Sequence, residues 1–289
     1  MITWRFALDS PWCNLTEPEQ CLIASDGLPA RLSGVWVHDK KYYVGRYLDI
    51  FCRGIGKQWK GKIAYIDLFA GPGRNVIRGT REEIDGSPFW ALNRDFARYV
   101  FVDVPEVLTS LESRLARHAK RSQITLIEGD CNAVLDQVLA AVPANHLTVA
   151  FIDPTGLHIS FNTIRRLVHN RKVDLLMTIQ FGMGIRMNLP QYINAEKEVL
   201  TAFLGNSDWR EDIEAGGSVS ETCRRILDRY MSQLQRLGYQ TVKDDEIPVR
   251  TDQNNLLLYS IVLASRHKLA EHYWHEVTKI GASGQRRLL

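Results

Sequence analysis

The chain has 289 residues, of which 45% are hydrophobic and 24% charged, and its formal net charge is only +3. These values are typical of a soluble globular protein with one sizeable core. No apolar run approaches the roughly 20 residues that cross a bilayer, and the N-terminus lacks the layout of a secretory signal. We therefore expect a cytoplasmic protein with no membrane partner. The small net charge neither requires nor excludes a nucleic-acid partner.

The five cysteines are an odd number and are scattered without a C-x-x-C pair. This pattern favours free thiols over a disulfide framework or a zinc site. The histidines show no H-E-x-x-H or H-x-H spacing either. No metal site is predicted.

The N-terminal region differs from the remainder of the chain. Residues 1–38 carry several Trp, Pro and Gly residues without a sustained period, which predicts an irregular arm. From residue 39 the pattern becomes regular, and helical spacing of apolar residues over 40–59 predicts a helix that leads into a domain spanning 39–289.

Strand-like and helix-like segments then alternate. Apolar segments at 63–70, 99–104, 124–129, 147–153 and 173–181 predict strands, and four of them are short runs of the kind covered by helices on both faces. Helical stretches at 105–120 and 132–142 lie between them. A later amphipathic helix ending at Gly238, two more strands and a last helix complete the pattern. The chain is thus predicted to be α/β, with a Rossmann-like, doubly wound, mostly parallel seven-stranded sheet and helices on both faces.

The ends of the first four predicted strands share one chemical feature. Each carries an acidic residue: Asp67, Asp103, Asp130 and Asp153. In such sheets, ligands bind outside the carboxyl ends of the strands. Gly71 and Gly73, after the first strand, permit positive φ and a close backbone approach. Single aspartates often cap helices, and Asp130 also fits an N-cap, but four acidic ends together favour one nucleoside-type ligand.

The turn after the first strand bears on the choice of cofactor. The sequence GPGRNV lacks the third glycine of the dinucleotide fingerprint, and the next helix begins only after a polar insertion, with Ser87 as the predicted N-cap and Pro88 in the first turn. A pyrophosphate would therefore lack its helix N-terminus. S-adenosylmethionine, which has no phosphates, fits better, whereas a reductase is less favoured and the Walker A sequence of NTPases is absent.

Several motifs together resemble one family. The segments YIDLFAGPGR, IDGSP, FVD, EGDCN and FIDPTGL, with FLG…W after the fifth strand, resemble the three-Cys-motif partner protein (TcmP) family of the class I S-adenosylmethionine-dependent methyltransferase superfamily. The resemblance covers roughly residues 40–279. DLFAGPG is shared by many methyltransferases, whereas IDGSP together with FIDPTGL is more specific. The three cysteines of the family name belong to a separate metalloprotein partner.

The resemblance implies roles for individual residues. Asp67, Gly71 and Gly73 would hold the methionine moiety, Asp103 the ribose and Asp130 the adenine amino group. The full predicted cofactor-binding set is Asp67, Phe69, Gly71, Gly73, Asp103, Asp130, Cys131 and Asp153. The predicted catalytic residues are Asp153, Pro154 and Thr155.

One departure from a related pattern leaves two functions open. Methyltransferases acting on base amines often have an Asp/Asn-Pro-Pro-aromatic tetrad, in which the aromatic stacks on the base. Here Thr155-Gly156 replaces the last two residues, and Phe181 or Trp90 is the candidate substitute platform, although aromatics beside apolar runs are usually core. The first hypothesis is an active methyltransferase with an unknown acceptor, nucleic acid included. The second is an inactive or cofactor-binding protein that pairs with the three-cysteine metalloprotein.

Overall fold

A computed structural model describes residues 21–180, 185, 192, 198–241, 246–250 and 257–281. The strands are β1 (Cys21–Ile23), β2 (Pro29–Ser33), β3 (Ile63–Asp67), β4 (Arg74–Ile77), β5 (Glu83–Asp85), β6 (Arg98–Asp103), β7 (Ile124–Glu128), β8 (Leu147–Ile152), β9 (Lys172–Ile179), β10 (Gln240–Thr241), β11 (Ile247–Arg250) and β12 (Leu257–Ser265).

The helices alternate with these strands. They are α1 (Val37–Ile50), α2 (Gly56–Gln58), α3 (Ser87–Leu92), α4 (Pro105–Leu115), α5 (Leu135–Ala141), α6 (Phe161–Val168), α7 (Val199–Leu204), α8 (Trp209–Glu214), α9 (Val219–Arg236) and α10 (Lys268–Thr278). A π-helical turn, Phe51–Ile55, joins α1 to α2. Within the described ranges, no helix is both long and apolar enough to cross a membrane.

The main sheet has the order β10–β12–β9–β8–β3–β6–β7, and β11 also pairs with β12. The five strands from β9 to β7 are parallel, whereas β12 is antiparallel to β9. Because β10 and β11 both pair with β12 at its free edge, the sheet has seven strand positions. The predicted fold class is confirmed. Strand order reverses between β3 and β8, which creates the crevice where ligands bind in such sheets.

Helices cover both faces of the main sheet because its central strands are apolar on both sides. All five residues of β3 and all six of β8 are buried. One apolar layer packs the sheet against α5, α6, α7 and α9, and the other packs it against α1, α3, α4 and α10. The longest of these helices, α9, begins with a capping box between Ser218 and Glu221, and Gly238 with φ 85° follows it.

A second, four-stranded sheet lies beside the crevice, in the order β1–β2–β4–β5. It corrects one expectation, because the described part of the arm, 21–38, is not irregular but forms β1, β2 and the start of α1. The polar insertion, for which no structure was predicted, forms the β4–β5 hairpin. The sequence hid this sheet because its strands are three to five residues long and β2 pairs in parallel with β4, far along the chain. Residues 1–20 lie outside the described residues, and the domain boundary at 38 stays a prediction.

Candidate functional site

The four predicted acidic residues lie at one edge of the main sheet. Asp67 and Asp103 are the last residues of β3 and β6, Asp153 directly follows β8, and Asp130 lies two residues after β7. These strands are neighbours in the order β8–β3–β6–β7, so the acids line the edge on both sides of the point where strand order reverses. The predicted cofactor and catalytic residues thus lie around one crevice.

The glycine turn after β3 is held open by its backbone conformation. Gly71 has φ 67° and Gly73 has φ 84°, the left-handed region that other residues rarely adopt. A Cβ built at Gly71 would meet nothing within 4 Å, so the space above this residue is open. At Gly73 it would lie 2.8 Å from the Leu111 side chain and 2.9 Å from that of Phe89. Gly71 therefore leaves room for a ligand, whereas Gly73 lets the turn pack on its neighbours.

Asp103 fixes this turn. Its Oδ2 accepts a hydrogen bond from the Gly71 N–H at 2.7 Å, and its Oδ1 accepts one from the Val104 N–H at 2.8 Å. Burial raises the pKa of Asp103. Each carboxylate oxygen retains a second lone pair, which leaves the group able to accept bonds from a ligand diol.

The IDGSP segment packs directly against the same turn. The Gly86 N–H donates to the Gly73 carbonyl at 2.8 Å, and a Cβ at Gly86 would lie 3.1 Å from the Gly73 carbonyl carbon. Gly86, not the predicted Ser87, is the N-cap of α3. The hydroxyl of Ser87 instead acts on Asp67, where hydrogen bonding favours the ionised carboxylate and so lowers its pKa.

Asp67 is completely buried at the base of the crevice. Its Oδ1 accepts a hydrogen bond from the Phe69 N–H at 3.2 Å. Burial nevertheless raises its pKa to about 7, with smaller contributions from the charges of Asp153 and Asp103. A positively charged ligand would therefore stabilise the ionised form of Asp67 strongly. Phe69 contacts Asp67 through its backbone N–H, while its ring is partly buried against the core.

Arg114 ties the second sheet to the glycine turn. From α4, its Nε and Nη2 bind the Asp26 carboxylate at 2.7 and 2.9 Å, and its Nη1 donates to the carbonyls of Pro29 at 2.8 Å and Pro72 at 2.6 Å. The side chain is only 4% exposed. Sequence reasoning missed it, because an arginine in an amphipathic helix usually lies on the solvated face and nothing local links it to Pro72.

The segment after β7 serves partly as a cap. The exposed Asp130 accepts hydrogen bonds at Oδ1 from the backbone N–H of Asn132 at 2.7 Å and from its Nδ2 at 2.8 Å. Asn132 also donates to the His158 carbonyl and accepts from Ser160 and Thr163. Its amide is therefore occupied in joining two loops, which leaves Asp130 and the backbone as the polar groups for a ligand here.

Cys131, between them, is buried, and burial raises the pKa of its thiol. A protonated, buried thiol is unreactive, so its side chain contributes apolar surface. Among the described cysteine side chains, those of Cys52, Cys131 and Cys223, none forms a disulfide.

Asp153 forms a buried ion pair that the sequence did not reveal. Lys40 of α1 donates to both of its oxygens, at 2.8 and 2.7 Å, and the Thr178 hydroxyl donates to Oδ1 at 2.6 Å. The two charged side chains are only 13% and 12% exposed. Burial lowers the pKa of Lys40, and the pKa of Asp153 is lowered although burial alone would raise it, because Lys40 and hydrogen bonds favour the carboxylate.

The remaining predicted catalytic residues differ from each other. Pro154 is buried, and its carbonyl accepts a hydrogen bond from Gln180 Nε2 at 3.0 Å. Thr155 is exposed at the mouth. Trp90 is a core residue, 3% exposed, whose indole N–H donates to the Asp85 carbonyl, so it is not a stacking platform. Phe181 lies outside the described residues.

Tyr259 has a hydroxyl with no hydrogen-bond partner. Its residue is 3% exposed, and the oxygen is buried and unpaired within the described part of the chain. Lys40 Nζ lies 4.7 Å from the centre of its ring. Tyr259 is next to Ser260, which pairs with Ile179 at the carboxyl end of β9, so the hydroxyl belongs to the crevice edge. Buried polar groups without partners are rare and are typical of functional sites.

Comparison with known proteins supports the fold. No family model matches the chain, and no curated protein matches it in sequence. A solved Legionella pneumophila protein of the DUF519 family aligns with 88% of this chain and 96% of its own, with a TM-score of 0.51 and 10% identity.

Two further structures have lower TM-scores. A DUF574 family protein from Streptomyces avermitilis aligns over 80% of this chain and 83% of its own, with a TM-score of 0.45 and 13% identity. The O-methyltransferase TomG from Streptomyces achromogenes, solved in complex with SAM, aligns over 77% and 78%, with a TM-score of 0.43 and 11% identity. The sheet order itself shows that the fold is Rossmann-like.

The two sides of the crevice carry different polar groups. Its β6–β7 side carries Asp103 and Asp130, which face outward without a paired cation among the described residues. Its β8–β9 side carries the Lys40–Asp153 ion pair, whose charges cancel, and the hydroxyl of Tyr259, which has no hydrogen-bond partner among the described residues. One side therefore suits hydroxyl and amino donors, and the other suits a second, reacting group.

Proposed function

We propose that the protein is an S-adenosylmethionine-dependent methyltransferase. The observation that carries this proposal is the row of acids at four adjacent strand ends around a glycine turn that is open above Gly71. The residues fit the cofactor: a buried carboxyl with a pKa near 7, Asp67, favours a cation, and Asp103 offers lone pairs to a ribose. When bound, the cofactor supplies a methyl group already activated on a sulfonium.

Each site residue then has a separate task. Asp67 and the turn would hold the methionine moiety, Asp103 the ribose, and Asp130 with the backbone at Cys131 the adenine. Asp103 contributes doubly, since its bond to Gly71 also sets the shape of the turn. Asp130 contributes less, because it is exposed and its Oδ1 already accepts two bonds from Asn132.

We infer further that the methyl acceptor reacts through an oxygen. A carboxylate has about four lone-pair positions, and three hydrogen bonds from Lys40 and Thr178 already reach Asp153. An acceptor amine would need those positions, and the positive charge that develops on its nitrogen would face the Lys40 ammonium. A hydroxyl suits the site better, since Tyr259 can hydrogen-bond it and Lys40 favours its deprotonated form. For nucleic acid, this favours sugar hydroxyls over base amines.

One experiment tests the acceptor class. RNA would be incubated with the protein and methyl-labelled S-adenosylmethionine, digested to nucleosides and separated. Label on ribose oxygens supports the inference, whereas label on base nitrogens contradicts it. Lys40→Met should strongly reduce that label, because the ammonium that favours the deprotonated hydroxyl is lost, whereas Lys40→Arg keeps a cation and should retain more of the label.

The departure from the base-amine tetrad also supports a second candidate, a protein of the TcmP type that acts as the partner of a three-cysteine metalloprotein. Lys40 forms an ion pair with Asp153, and the exposed Thr155 offers no surface on which a base could stack. An inactive protein would bind the cofactor without transferring its methyl group. Failure to label RNA, small hydroxyl compounds or the metalloprotein, despite tight cofactor binding, would favour it.

The first test of the main proposal is calorimetric titration with S-adenosylmethionine, S-adenosylhomocysteine and NADH. Binding of the first two without NADH supports a methyltransferase, and no binding of either contradicts it. Asp103→Ala should weaken binding by about 10- to 100-fold, because a charge-assisted ligand bond is lost and the turn loosens. Asp130→Ala, the milder matched change, should have a smaller effect.

A further inference from the structure

We infer that Arg31, on β2 of the second sheet, binds the carboxylate of the methionine moiety of S-adenosylmethionine. The inference rests on the proposed function and names a binding residue for it. Arg31 is half-buried, yet its side chain forms no hydrogen bond or ion pair with any residue that the structure describes. Guanidinium groups that are partly buried usually have an acceptor, so this one is available for a ligand.

The second sheet carries Arg31 to the crevice. The start of β2 is fastened beside the glycine turn, because Arg114 Nη1 binds the carbonyls of both Pro29 and Pro72. Arg31 pairs in register with Asn75 of β4, which begins directly after Gly73. Its neighbour Ala30 points into a small apolar cluster, so the Arg31 side chain leaves the opposite face of the strand.

The charge of Arg31 acts on both sides of the crevice. It helps to lower the pKa of Asp153, which follows β8, and it partly offsets the rise that burial causes in the pKa of Asp103, the last residue of β6. It also contributes to the lowered pKa of Lys40 and partly offsets the rise in the pKa of Tyr259. The charge of Arg31 is therefore felt both at Asp103, the expected ribose ligand, and at Asp153, at the expected acceptor position.

Three other cations near the crevice, among the residues that the structure describes, are already paired. Lys40 binds Asp153 at 2.7 Å, Arg114 binds Asp26 at 2.7 Å, and Arg74 lies 3.3 Å from Asp85. A ligand carboxylate that enters among Asp67, Asp103 and Asp153 would be repelled unless a cation met it. A planar guanidinium can bind a carboxylate with two parallel hydrogen bonds, and Arg31 is placed to do so.

The test compares two ligands that differ by this one group. S-adenosylmethionine and its decarboxylated analogue would each be titrated into the wild-type protein and into Arg31→Met. We expect Arg31→Met to weaken S-adenosylmethionine binding by about 10- to 100-fold while leaving the affinity for the analogue within about twofold. The ratio of the two effects removes the intrinsic difference in affinity between the two ligands.

Controls separate this role from a structural one. Arg98→Met, an exposed arginine at the opposite end of the main sheet, should leave both affinities unchanged. Equal weakening of both ligands by Arg31→Met, or no weakening of either, would overturn the inference. If the wild-type protein bound neither ligand, the proposed function itself would fail, which is a different result from a wild type that binds both and a variant that does not discriminate.

Discussion

Two buried aspartates, Asp153 and Asp174, lie at opposite ends of the main sheet, and both are contacted by α1. Asp174, near the start of β9, accepts hydrogen bonds from Tyr47 at 2.9 Å and from Ser265 at 2.6 Å. Asp153, after β8, is paired with Lys40. Burial raises the pKa of Asp174, whereas the pKa of Asp153 is lowered. Similar burial thus accompanies opposite pKa shifts, because only one of the two carboxylates meets a cation.

The comparison shows how the two ends of the main sheet differ in their polar groups. Lys40 and Tyr47 are seven residues apart, on one face of α1, so the same helix closes both ends. At the amino end, every polar group of the Asp174 cluster has a partner. At the carboxyl end, the Tyr259 hydroxyl has none in the described structure. Unsatisfied polar groups concentrate where a ligand supplies the missing partner.

The largest expected effect comes from removing the cation of Asp153. Lys40→Met should lower the free energy of unfolding at pH 7 by about 3–5 kcal/mol, because it leaves a buried carboxylate without its counter-charge. Chemical denaturation would measure this. The double variant Lys40→Met/Asp153→Asn should recover most of the loss, since no unpaired charge remains.

A different result would change the role of this pair. If Lys40→Met alone cost less than about 1 kcal/mol, the pair would behave like a solvated surface bridge. The double variant is also a better choice than Asp153→Ala for an assay of methyl transfer. Asp153→Ala would leave Lys40 buried and unpaired, so lost activity would not separate chemistry from folding.

A third buried aspartate sharpens the comparison through pH. The pKa of Asp67 is raised to about 7, so in the free protein the group is half protonated near neutrality. A sulfonium ligand favours the ionised form. Affinity for S-adenosylmethionine should therefore rise by about tenfold from pH 6 to pH 8 and level off above. Calorimetry in buffers of different ionisation enthalpy should show proton release. A flat profile in wild type would contradict this placement of the cation, and Asp67→Asn should be flat in any case.

Much of the fold was readable from sequence because its signals are local. The five parallel strands, the acids at their ends and the capped helix α9 each follow from short runs of residues. The predicted strand at 147–153 became β8, Leu147–Ile152, with Asp153 just beyond it. The order of the strands follows from the handedness and compactness of βαβ units.

The remainder of the site depends on contacts between distant residues. Lys40 and Asp153 are 113 positions apart, and Arg114 reaches Asp26 over 88 positions. Neither lysine nor arginine carries a local signal that distinguishes a buried pair from a solvated face. The second sheet was missed for the same reason, since β2 finds its parallel partner only in the insertion. A sequence pattern places residues at a strand end, but it does not specify which cation arrives from another element.

The two tyrosines beside the two aspartates provide a matched pair of substitutions. Tyr47→Phe should lower the free energy of unfolding by about 1 kcal/mol or more, because Asp174 loses a buried hydrogen bond. Tyr259→Phe should cost nothing or stabilise slightly, since its hydroxyl has no partner among the described residues. Thermal unfolding of both variants would show it. If Tyr259→Phe were as costly as Tyr47→Phe, an ordered water or an undescribed residue would be the partner of Tyr259, and the hydroxyl would lose its assignment to the acceptor.

The smallest effect tests the ionisation contrast itself. Since the folded pKa of Asp174 is raised above its ordinary value of 3.8, its stabilising contribution is complete below that pH and is lost as pH rises through the folded pKa. For Asp153, with a lowered pKa, the contribution is present above 3.8 and is lost as pH falls through the folded pKa. The stability of wild type relative to Asp174→Asn should therefore decline with rising pH, by at most about 1.4 kcal/mol per pH unit, the limit for one proton. Relative to Asp153→Asn it should rise as pH leaves the acid range. Parallel slopes for the two variants in denaturation series from pH 3 to pH 8 would mean that Lys40 does not set the difference between the two ends of the sheet.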